Sequence, residues 1–368
     1  MHFTIDTQDL TAGVSTVIKA MGTRTTLNIL ESIYVQASGS DLLLRCTDLS
    51  LQIETILPAE VQEEGACVLP GRLFSEMVRR LPGEQTVVSS DKNTVTIVSG
   101  HAKTNVQSEN AEDFHSMPDV KQEYTVSLPK SALKSMIRQC IFASAQDDSK
   151  PILTGVLLEI SADGLCMVAL DGYRLALRRE KLLTGAQEKT AVVPARSLLE
   201  ISRMLEDSDD NVNVIFSATH VMLDMGHTKV TTRLLDGEFI RYKQILPGEH
   251  VTRVRVNRQE LLDSIERVSL MAREGKKNHI KFTFEGDSLT LSANSEIGSS
   301  YEALTVDSMG SDIDIAFNAK FFSDVLKALD DTELYLDMNN NISPCVVKPI
   351  QGEAFYYLVL PVRVFSGM

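Results

Sequence analysis

The sequence predicts an α+β protein built from three similar domains, each with two helices and mainly antiparallel sheets. Three observations support this class. A segment that passes from a strand end into an amphipathic run begins at Val68, Val192 and Ala316, so that successive copies lie 124 residues apart. Two segments in each copy have helical periodicity. Short alternating strands outnumber these helices, and no βαβ rhythm runs through the chain.

The domain boundaries follow from the repeat. A unit of about 120 residues is the size of an ordinary domain, whereas 368 residues exceed what one hydrophobic core usually holds. The joins fall in polar stretches near 119–123 and 246–250, and the second contains Pro-Gly. We therefore expect three similar domains, at 1–122, 123–249 and 250–368.

Six segments carry the apolar spacing of amphipathic helices. In one of them Lys130, Lys134 and Arg138 recur every four residues and share a face. The opposite face is apolar and includes Leu133 and Ile137. The predicted helices span 9–21, 71–81, 130–143, 195–206, 257–273 and 319–330.

Strands are predicted where apolar and polar residues alternate, as in LLLRCTDLSLQIETIL, NTVTIVSG, VMLDMGHTKVTTRLL and AFYYLVLPV. The stretch LDGYRLALRR, residues 170–179, joins two such runs through Asp171-Gly172, a dipeptide typical of hairpin turns. Asp48 and Asn294 occupy the equivalent place 123 residues to either side, so we expect Asp171 to shape the turn. The three residues after Asp171 are not repeated in the other two copies.

The composition is that of a soluble globular protein, with 43% hydrophobic and 23% charged residues. No apolar run approaches the roughly 20 residues of a membrane span, and the N-terminus lacks a signal-peptide pattern. We therefore expect a cytoplasmic protein. The five cysteines are expected to be buried, reduced thiols. They are Cys46, Cys67, Cys140, Cys166 and Cys345.

Charge is segregated along the chain. The net charge of −14 by itself argues against nucleic acid, yet the predicted helices hold 14 Lys and Arg against nine Asp and Glu. A polar helix face is usually no more than a solvated face, but here a basic position is repeated at Arg72, Arg196 and Lys320. Such a stripe would bind phosphates without reading bases. Other basic residues of these helices are Arg79, Arg80, Lys130, Lys134, Arg138, Arg203 and Lys327.

The motifs of common enzyme classes are absent from the sequence. It has no Walker loop, no GxGxxG after a strand and no GxSxG elbow. The seven histidines form no HxxxH or HExxH pair of the kind that binds zinc. We expect no catalytic residues, no cofactor and no metal. A hydrolase using carboxylates that meet only in the fold is the enzymatic alternative.

Several stretches together resemble the bacterial DNA polymerase III β-subunit family, the sliding clamps. They are FTIDTQDL, GTRTTLNIL, LDGYRLALRR and YYLVLPVRV, together with the helices after LPGR, VPAR and FNAK. The resemblance covers essentially the full chain. It implies the DNA clamp fold and a head-to-tail homodimer that closes a six-domain ring around duplex DNA. A clamp-like interaction scaffold without a DNA role is the alternative.

The resemblance also implies partners and a binding groove. The partners would be double-stranded DNA, the polymerase III catalytic subunit, the clamp loader, and other replication and repair proteins with clamp-binding peptides. Leu170, Tyr173 and Ile240 depart from the familiar Thr, His and Pro. The groove residues would be Leu153, Leu170, Gly172, Tyr173, Arg174, Leu175, Ile240, Ile245, Asn318, Phe321, Ile342, Pro344, Leu358 and Leu360. We expect Leu175 and Tyr173 to wall an apolar pocket framed by Arg174, so that Leu175→Asp would abolish peptide binding and leave the fold intact.

Two further surfaces follow from the resemblance. Arg24 and Lys150 would join the basic helix residues in contacting DNA. The subunit interface would place a basic strand of the first domain against apolar and acidic residues of the third domain in the next chain. Its residues would be Lys103, Val106, Leu270, Met271, Glu296 and Glu302. No role is assigned to the tail FSGM, residues 365–368.

Overall fold

The structure is a computed structural model of the chain, and it describes residues 1–22, 25–121, 123–147, 149–182, 188–274 and 278–363. The chain forms two compact units. Unit 1 comprises Met1–Ser131 and Arg203–Leu234, and unit 2 comprises Ala132–Ser202 and the chain from Leu235 onward. The three domain boundaries expected from the repeat stay a prediction.

The described residues contain six α-helices, and each coincides with a predicted segment. The Asp6 carboxylate caps the first helix by accepting hydrogen bonds from the amides of Gln8 and Asp9, so the helix begins two residues early. The second ends at Val78, which leaves Arg79 and Arg80 beyond the helix on which they were predicted. The helices are α1 Thr7–Val17, α2 Gly71–Val78, α3 Lys130–Ile141, α4 Ala195–Met204, α5 Arg258–Glu274 and α6 Ala319–Ala328.

The strands are short, and every ladder between them is antiparallel, as predicted. They are β1 His2–Asp6, β2 Ser32–Ser38, β3 Asp41–Thr47, β4 Leu51–Pro58, β5 Glu60–Glu63, β6 Gly65–Pro70, β7 Gln85–Asp91, β8 Thr94–Ser99, β9 Ala102–Gln107, β10 Tyr124–Pro129, β11 Gly155–Ser161, β12 Gly164–Leu170, β13 Arg174–Glu180, β14 Lys189–Pro194, β15 Asn211–Phe216, β16 His220–Asp224, β17 Thr228–Arg233, β18 Thr252–Asn257, β19 His279–Glu285, β20 Ser288–Ser295, β21 Gly298–Thr305, β22 Asp307–Met309, β23 Ile313–Asn318, β24 Glu333–Met338, β25 Cys345–Pro349 and β26 Phe355–Val359.

Unit 1 holds two sheets. One has five strands in the order β5-β1-β7-β8-β9, and the other has eight in the order β10-β15-β16-β17-β4-β3-β2-β6. Helix α1 packs on β3, β4 and α2. Its apolar stripe, with Leu10, Val14 and Val17 fully buried, is the reason that it docks on the sheet.

Unit 2 also holds two sheets. Nine strands follow the order β14-β11-β12-β13-β26-β25-β24-β18-β22, and four follow β21-β20-β19-β23. Helix α5 packs on α6 and on the smaller sheet. Phe282, Phe317 and Phe322 form the aromatic centre of this core, with ring centroids 5.0 to 5.2 Å apart.

The five cysteines are free, as predicted. Four are buried, whereas Cys166 is only partly buried, and burial raises the pKa of Cys67 to about 12. No helix in the described part of the chain has the length and apolar character needed to cross a membrane.

Candidate functional site

The stretch that follows β12 forms the predicted turn. Strands β12 and β13 pair in antiparallel fashion, and the Asp171 carboxylate accepts hydrogen bonds from the amides of Tyr173 and Arg174 at 2.9 and 3.0 Å. Gly172 has a φ of 93°, which residues with a side chain rarely adopt. Asp171 therefore shapes the turn, as expected, and Gly172 allows it.

An apolar cluster underlies this turn. Its members come mainly from β11, β12, β13, β14 and β26, and Phe239 and Tyr242 join it from the stretch between β17 and β18. Five predicted groove residues belong to it: Leu153, Leu170, Leu175 and Leu358 are buried, and Leu360 is half-buried. The fold thus brings the first part of the predicted groove together as a packed floor.

Leu175 is only 1% exposed, so it belongs to the core as much as to a pocket wall. An aspartate there would bury an unpaired charge and destabilise the fold. The expectation that Leu175→Asp spares the fold is therefore wrong.

Three apolar side chains stand exposed beside this floor. They are Tyr173, Ile240 and Ile245, with 62%, 38% and 49% of their surface accessible. Scattered exposed apolar residues are ordinary, but a group of them next to an apolar cluster marks a binding surface. Two of the three, Tyr173 and Ile240, are among the positions at which the sequence departs from the residues familiar in the family that it resembles.

Arg174 does not frame the pocket from its rim, as the sequence suggested. Because side chains alternate along β13, it points to the face opposite Leu175 and is buried. Its guanidinium lies 3.0 Å from the Asp171 carboxylate and 2.6 Å from the Asp324 carboxylate. It also donates to the carbonyl oxygen of Phe142 at 2.6 Å. Arg174 therefore fixes the turn and α6 from beneath.

The second part of the predicted groove lies on α6 and a nearby loop. Phe321 stacks on Tyr173 with ring centroids 5.8 Å apart and an interplanar angle of 25°. Asn318 caps α6 through a 3.0 Å hydrogen bond from the Lys320 amide. Ile342 is exposed and Pro344 half-buried. The stacked rings join the residues of this second part to those of the first.

Asp324 links the groove to the basic face of α6. Its Oδ2 atom lies 2.6 Å from Nη1 of Arg174 and 2.6 Å from Nζ of Lys320, a residue predicted to contact DNA. No sequence pattern indicated this shared carboxylate, because its two partners are 150 and four residues away along the chain.

The basic residues predicted to face phosphates are mostly exposed, but several form ion pairs. Arg72, Arg79, Lys150, Arg196 and Arg203 are exposed. The ion pairs are Arg80–Glu76, Lys130–Glu206, Arg138–Asp330, Lys320–Asp324 and Lys327–Glu266. Exposed pairs of this kind are worth little and can open toward another anion. Lys134 is half-buried, and Arg24 lies outside the described residues.

A small cavity in unit 1 adds residues that the sequence did not single out. It measures about 330 Å³ and is lined by Lys19 and His227 as well as by the predicted Lys130 and Arg203. Glu206 also lines the cavity and pairs with Lys130, so only part of this basic charge is available to a phosphate oxygen. The one signal for this cavity in the sequence was the basic character of Lys19 on a predicted helix.

Each unit has open sheet edges where the subunit interface was predicted. In unit 1, β9 is an edge strand on which Lys103 is exposed. Val106 is buried within its own unit, so it could meet a partner only through its backbone.

In unit 2, β21 is an edge strand beside α5. Leu270 and Glu296 are exposed and Met271 is half-buried. Glu302 forms a bidentate ion pair with Arg267 at 2.6 and 2.7 Å, and this hydrogen bonding lowers the pKa of the Glu302 carboxyl. The sequence did not indicate Ile297 and Tyr301, which are 73% and 68% exposed at this edge.

The described residues contain no group of three or more His, Cys, Asp or Glu side chains that could hold a metal ion. The cations and apolar surfaces described above are suited to binding anions and peptides.

Family models match all three repeats. The model described as DNA polymerase III beta subunit, N-terminal domain, matches residues 1–118, the central domain matches 127–240, and the C-terminal domain matches 243–363. The beta sliding clamp of Bacillus subtilis strain 168 is 32% identical over 99% of this chain and all of its own length. That of Staphylococcus epidermidis RP62A is 30% identical over the same shares.

Solved structures agree with these matches. The DNA polymerase sliding clamp of Bacillus subtilis superposes with a TM-score of 0.97 at 31% identity, over 99% of this chain and 100% of that one. The sliding clamp of Pseudomonas aeruginosa bound to griselimycin superposes with a TM-score of 0.94 at 25% identity, over the same shares.

Proposed function

Since the chain belongs to the DNA polymerase III beta-subunit family, we propose that it acts as that family does, as a DNA sliding clamp. Two copies close into a ring around duplex DNA and tether the replicative polymerase and other proteins. The match of the family's three domain models along the chain carries this conclusion. The role is mechanical rather than enzymatic, because binding surfaces alone suffice for it.

The groove is the site at which partners attach. Its leucine floor and the stacked rings of the exposed Tyr173 and the half-buried Phe321 suit a short peptide with Leu and Phe side chains. The peptide would insert its apolar side chains between Ile240, Ile245 and the stacked rings. Partners of this kind include the polymerase III catalytic subunit and the clamp loader.

Ring closure joins the edge strand β9 of one chain to the edge strand β21 of the next. Open edges with unpaired N–H and C=O groups are ready to pair with another strand. The exposed Ile297, Tyr301 and Leu270 supply apolar area beside β21, and Lys103 on β9 faces an acidic partner such as Glu296. Two such contacts per dimer close the ring.

DNA passes through the ring and is contacted by the basic residues of the helices. These contacts go to phosphates and are independent of base sequence. Opening of the Lys320–Asp324 and Lys327–Glu266 pairs would release two cations toward the duplex. Weak contacts suffice, because encirclement rather than affinity provides persistence.

Binding of a Gln-Leu-x-Leu-Phe peptide to single-residue variants tests the groove. Tyr173→Ala removes an exposed ring from it and should weaken binding about tenfold, since aromatic residues dominate such interfaces. The change should leave thermal stability nearly unaltered, because the side chain is mostly exposed.

Tyr301→Ala is the matched control, because Tyr301 is exposed to a similar degree on a different sheet. It should leave peptide affinity unchanged. Equal losses of peptide affinity in both variants, or no loss in either, would contradict the assignment of the groove.

A further inference from the structure

Five adjacent strands of the nine-stranded sheet, β13 to β18 in sheet order, carry a row of side chains that continues from the groove. Leu175 on β13 pairs with Leu358 on β26, which pairs with Val346 on β25. Val346 pairs with Asp337 on β24, and Asp337 pairs with Arg253 on β18. Paired residues of antiparallel strands point to the same face. The floor of the groove and Arg253 therefore lie on one face of one sheet.

The neighbouring row on this face is basic and aromatic. Tyr335 pairs with both Lys348 and Arg255. The Lys348 ammonium lies 5.1 Å from the centre of the Tyr356 ring, and the Arg253 guanidinium lies 4.7 Å from that of Tyr335. These cations are held over aromatic rings, which orders them without neutralising them.

One buried carboxylate gathers the cations. Asp337 is 3% exposed and accepts two hydrogen bonds from Arg253, at 2.7 and 2.8 Å, while Lys348 lies 3.2 Å away. His250 lies 3.7 Å from the same carboxylate. Nη1 of Arg253 makes no hydrogen bond within the described residues. The negative charge is thus buried, and the surface above it is positive.

A cavity of about 470 Å³ opens over these residues. Arg179, Arg253 and Lys348 line it. The one carboxylate in the described lining is that of Glu353, which is highly exposed and lies 3.5 Å from Arg179, so that an exposed ion pair opens when another anion binds. Its other wall is the loop 246–248, which continues directly from the groove residue Ile245. The cavity has the size of a small ligand site, and its charge favours an anion.

We propose that this cavity binds acidic side chains of the same partner whose apolar residues occupy the groove. The proposal rests on the proposed function. From strand spacings, Lys348 lies about 8 Å from Leu358 and about 12 Å from Leu175, Cα to Cα. An extended chain covers that span in roughly three or four residues. The partner therefore carries Asp or Glu three to six residues from its anchored Leu or Phe.

Fluorescence anisotropy with three peptides tests the proposal. One is the Gln-Leu-x-Leu-Phe peptide alone, and the others carry a Glu-rich extension of six residues at the N-terminus or at the C-terminus. One extension should tighten binding about fivefold, which corresponds to the combined free energy of two or three exposed charge pairs. The gain should disappear at high salt, because exposed charges are screened.

The double variant Arg179→Gln, Lys348→Gln should remove this gain and leave the affinity of the unextended peptide unchanged. Arg253 is kept, so that Asp337 stays paired. Lys281→Gln is the matched control, since Lys281 is also ion-paired, at 2.8 Å to Asp314, but lies in the four-stranded sheet. It should keep the full gain.

The proposal would be overturned if neither extension tightened binding, or if the gain survived in the double variant. A short single-stranded oligonucleotide that bound through Lys348 while the Glu-rich extensions gave no gain would identify the cavity as a nucleic-acid site instead. Failure of the unextended peptide to bind would overturn the groove along with the cavity.

Discussion

At the scale of single residues, the buried guanidinium of Arg174 links three parts of the groove. It bonds the Asp171 turn, the end of α3 through Phe142, and α6 through Asp324. The ring of Phe321 lies under it at 4.7 Å. Because Asp324 also pairs with Lys320, a phosphate that draws Lys320 away leaves Asp324 to Arg174 alone. This shared carboxylate therefore adds a polar link to the apolar packing that holds α6 and the second part of the groove.

Asp337 makes a testable contribution to stability. Burial by itself would raise its pKa, but hydrogen bonds from Arg253 and Lys348 outweigh burial and hold the pKa below its usual value. A carboxyl with a depressed folded-state pKa stabilises the fold above its unfolded-state pKa of about 3.9. This contribution is lost as the pH falls through the depressed pKa.

Asp337→Asn should therefore lower the free energy of unfolding by roughly 2 kcal/mol at neutral pH, because it removes the charge that the half-buried Arg253 and Lys348 side chains pair with. The difference from the parent protein should shrink as the pH falls below about 3.9. Urea unfolding across this pH range measures it, with the exposed Asp119→Asn as control. A difference that is constant with pH would contradict the role of the carboxylate charge.

At the scale of secondary-structure elements, the edge strand β21 is where we expect subunits to join. Ile297 is 73% exposed in the turn that leads into β21. Ile297→Asp should weaken dimerisation at least about tenfold, because it places a charge in an interface that buries apolar surface. Sedimentation equilibrium measures the dissociation constant.

Ile342→Asp is the control, since Ile342 is 70% exposed and belongs to the predicted groove. It should leave the dimer intact and weaken peptide binding. A dimer unaffected by Ile297→Asp would exclude β21 from the interface.

Helix α2 and the residues that follow it carry the clearest basic surface of unit 1. Arg72 and Arg79 are exposed and form no ion pair within the described residues. Neutralising both as Arg72→Gln, Arg79→Gln should shorten retention on DNA. It should also reduce the salt dependence of binding by the amount expected from the loss of about two phosphate contacts. The control Lys92→Asn, Lys121→Gln removes the same amount of charge from exposed sites and should have no effect. An equal effect would show that the α2 cations are only a solvated surface.

The sequence predicted the elements better than the contacts between them. All six helices were found because each has an apolar stripe of helical period, and their ends moved by a few residues where a cap such as Asp6 intervened. The turn at Asp171 was found through its Asp-Gly signal. The inward direction of Arg174, the burial of Val106 and the exposure of Tyr301 were not, because they depend on which strands are neighbours in a sheet.

For the groove, too, the sequence predicted the residues better than the contacts between them. The family resemblance indicated its residues, and the fold joins the leucines of β12, β13 and β26 into one cluster. Its dependence on Phe142 and Asp324 could not be read from the sequence, since neither residue belongs to a motif. The cationic cavity was also missed, because Arg179, Arg253 and Lys348 are far apart in the sequence and meet only through strand register.

At the scale of the whole molecule, function depends on the segregation of charge. The chain has a net charge of −14, yet its six described helices together hold 11 Lys and Arg against eight Asp and Glu. We infer that the acidic remainder repels DNA while the helices attract it weakly, so that the duplex is held inside the ring without being held in place. Ion pairs such as Lys327–Glu266 keep that attraction weak, which permits sliding.

Retention on closed circular DNA compared with the same DNA cut once tests this account most directly. The loaded protein, separated from free protein by gel filtration, should stay on the circle and run off the linear molecule within the same time. Blocking both ends of the linear DNA with bound protein should restore retention. Equal dissociation from the circular and the linear DNA would contradict the ring mechanism.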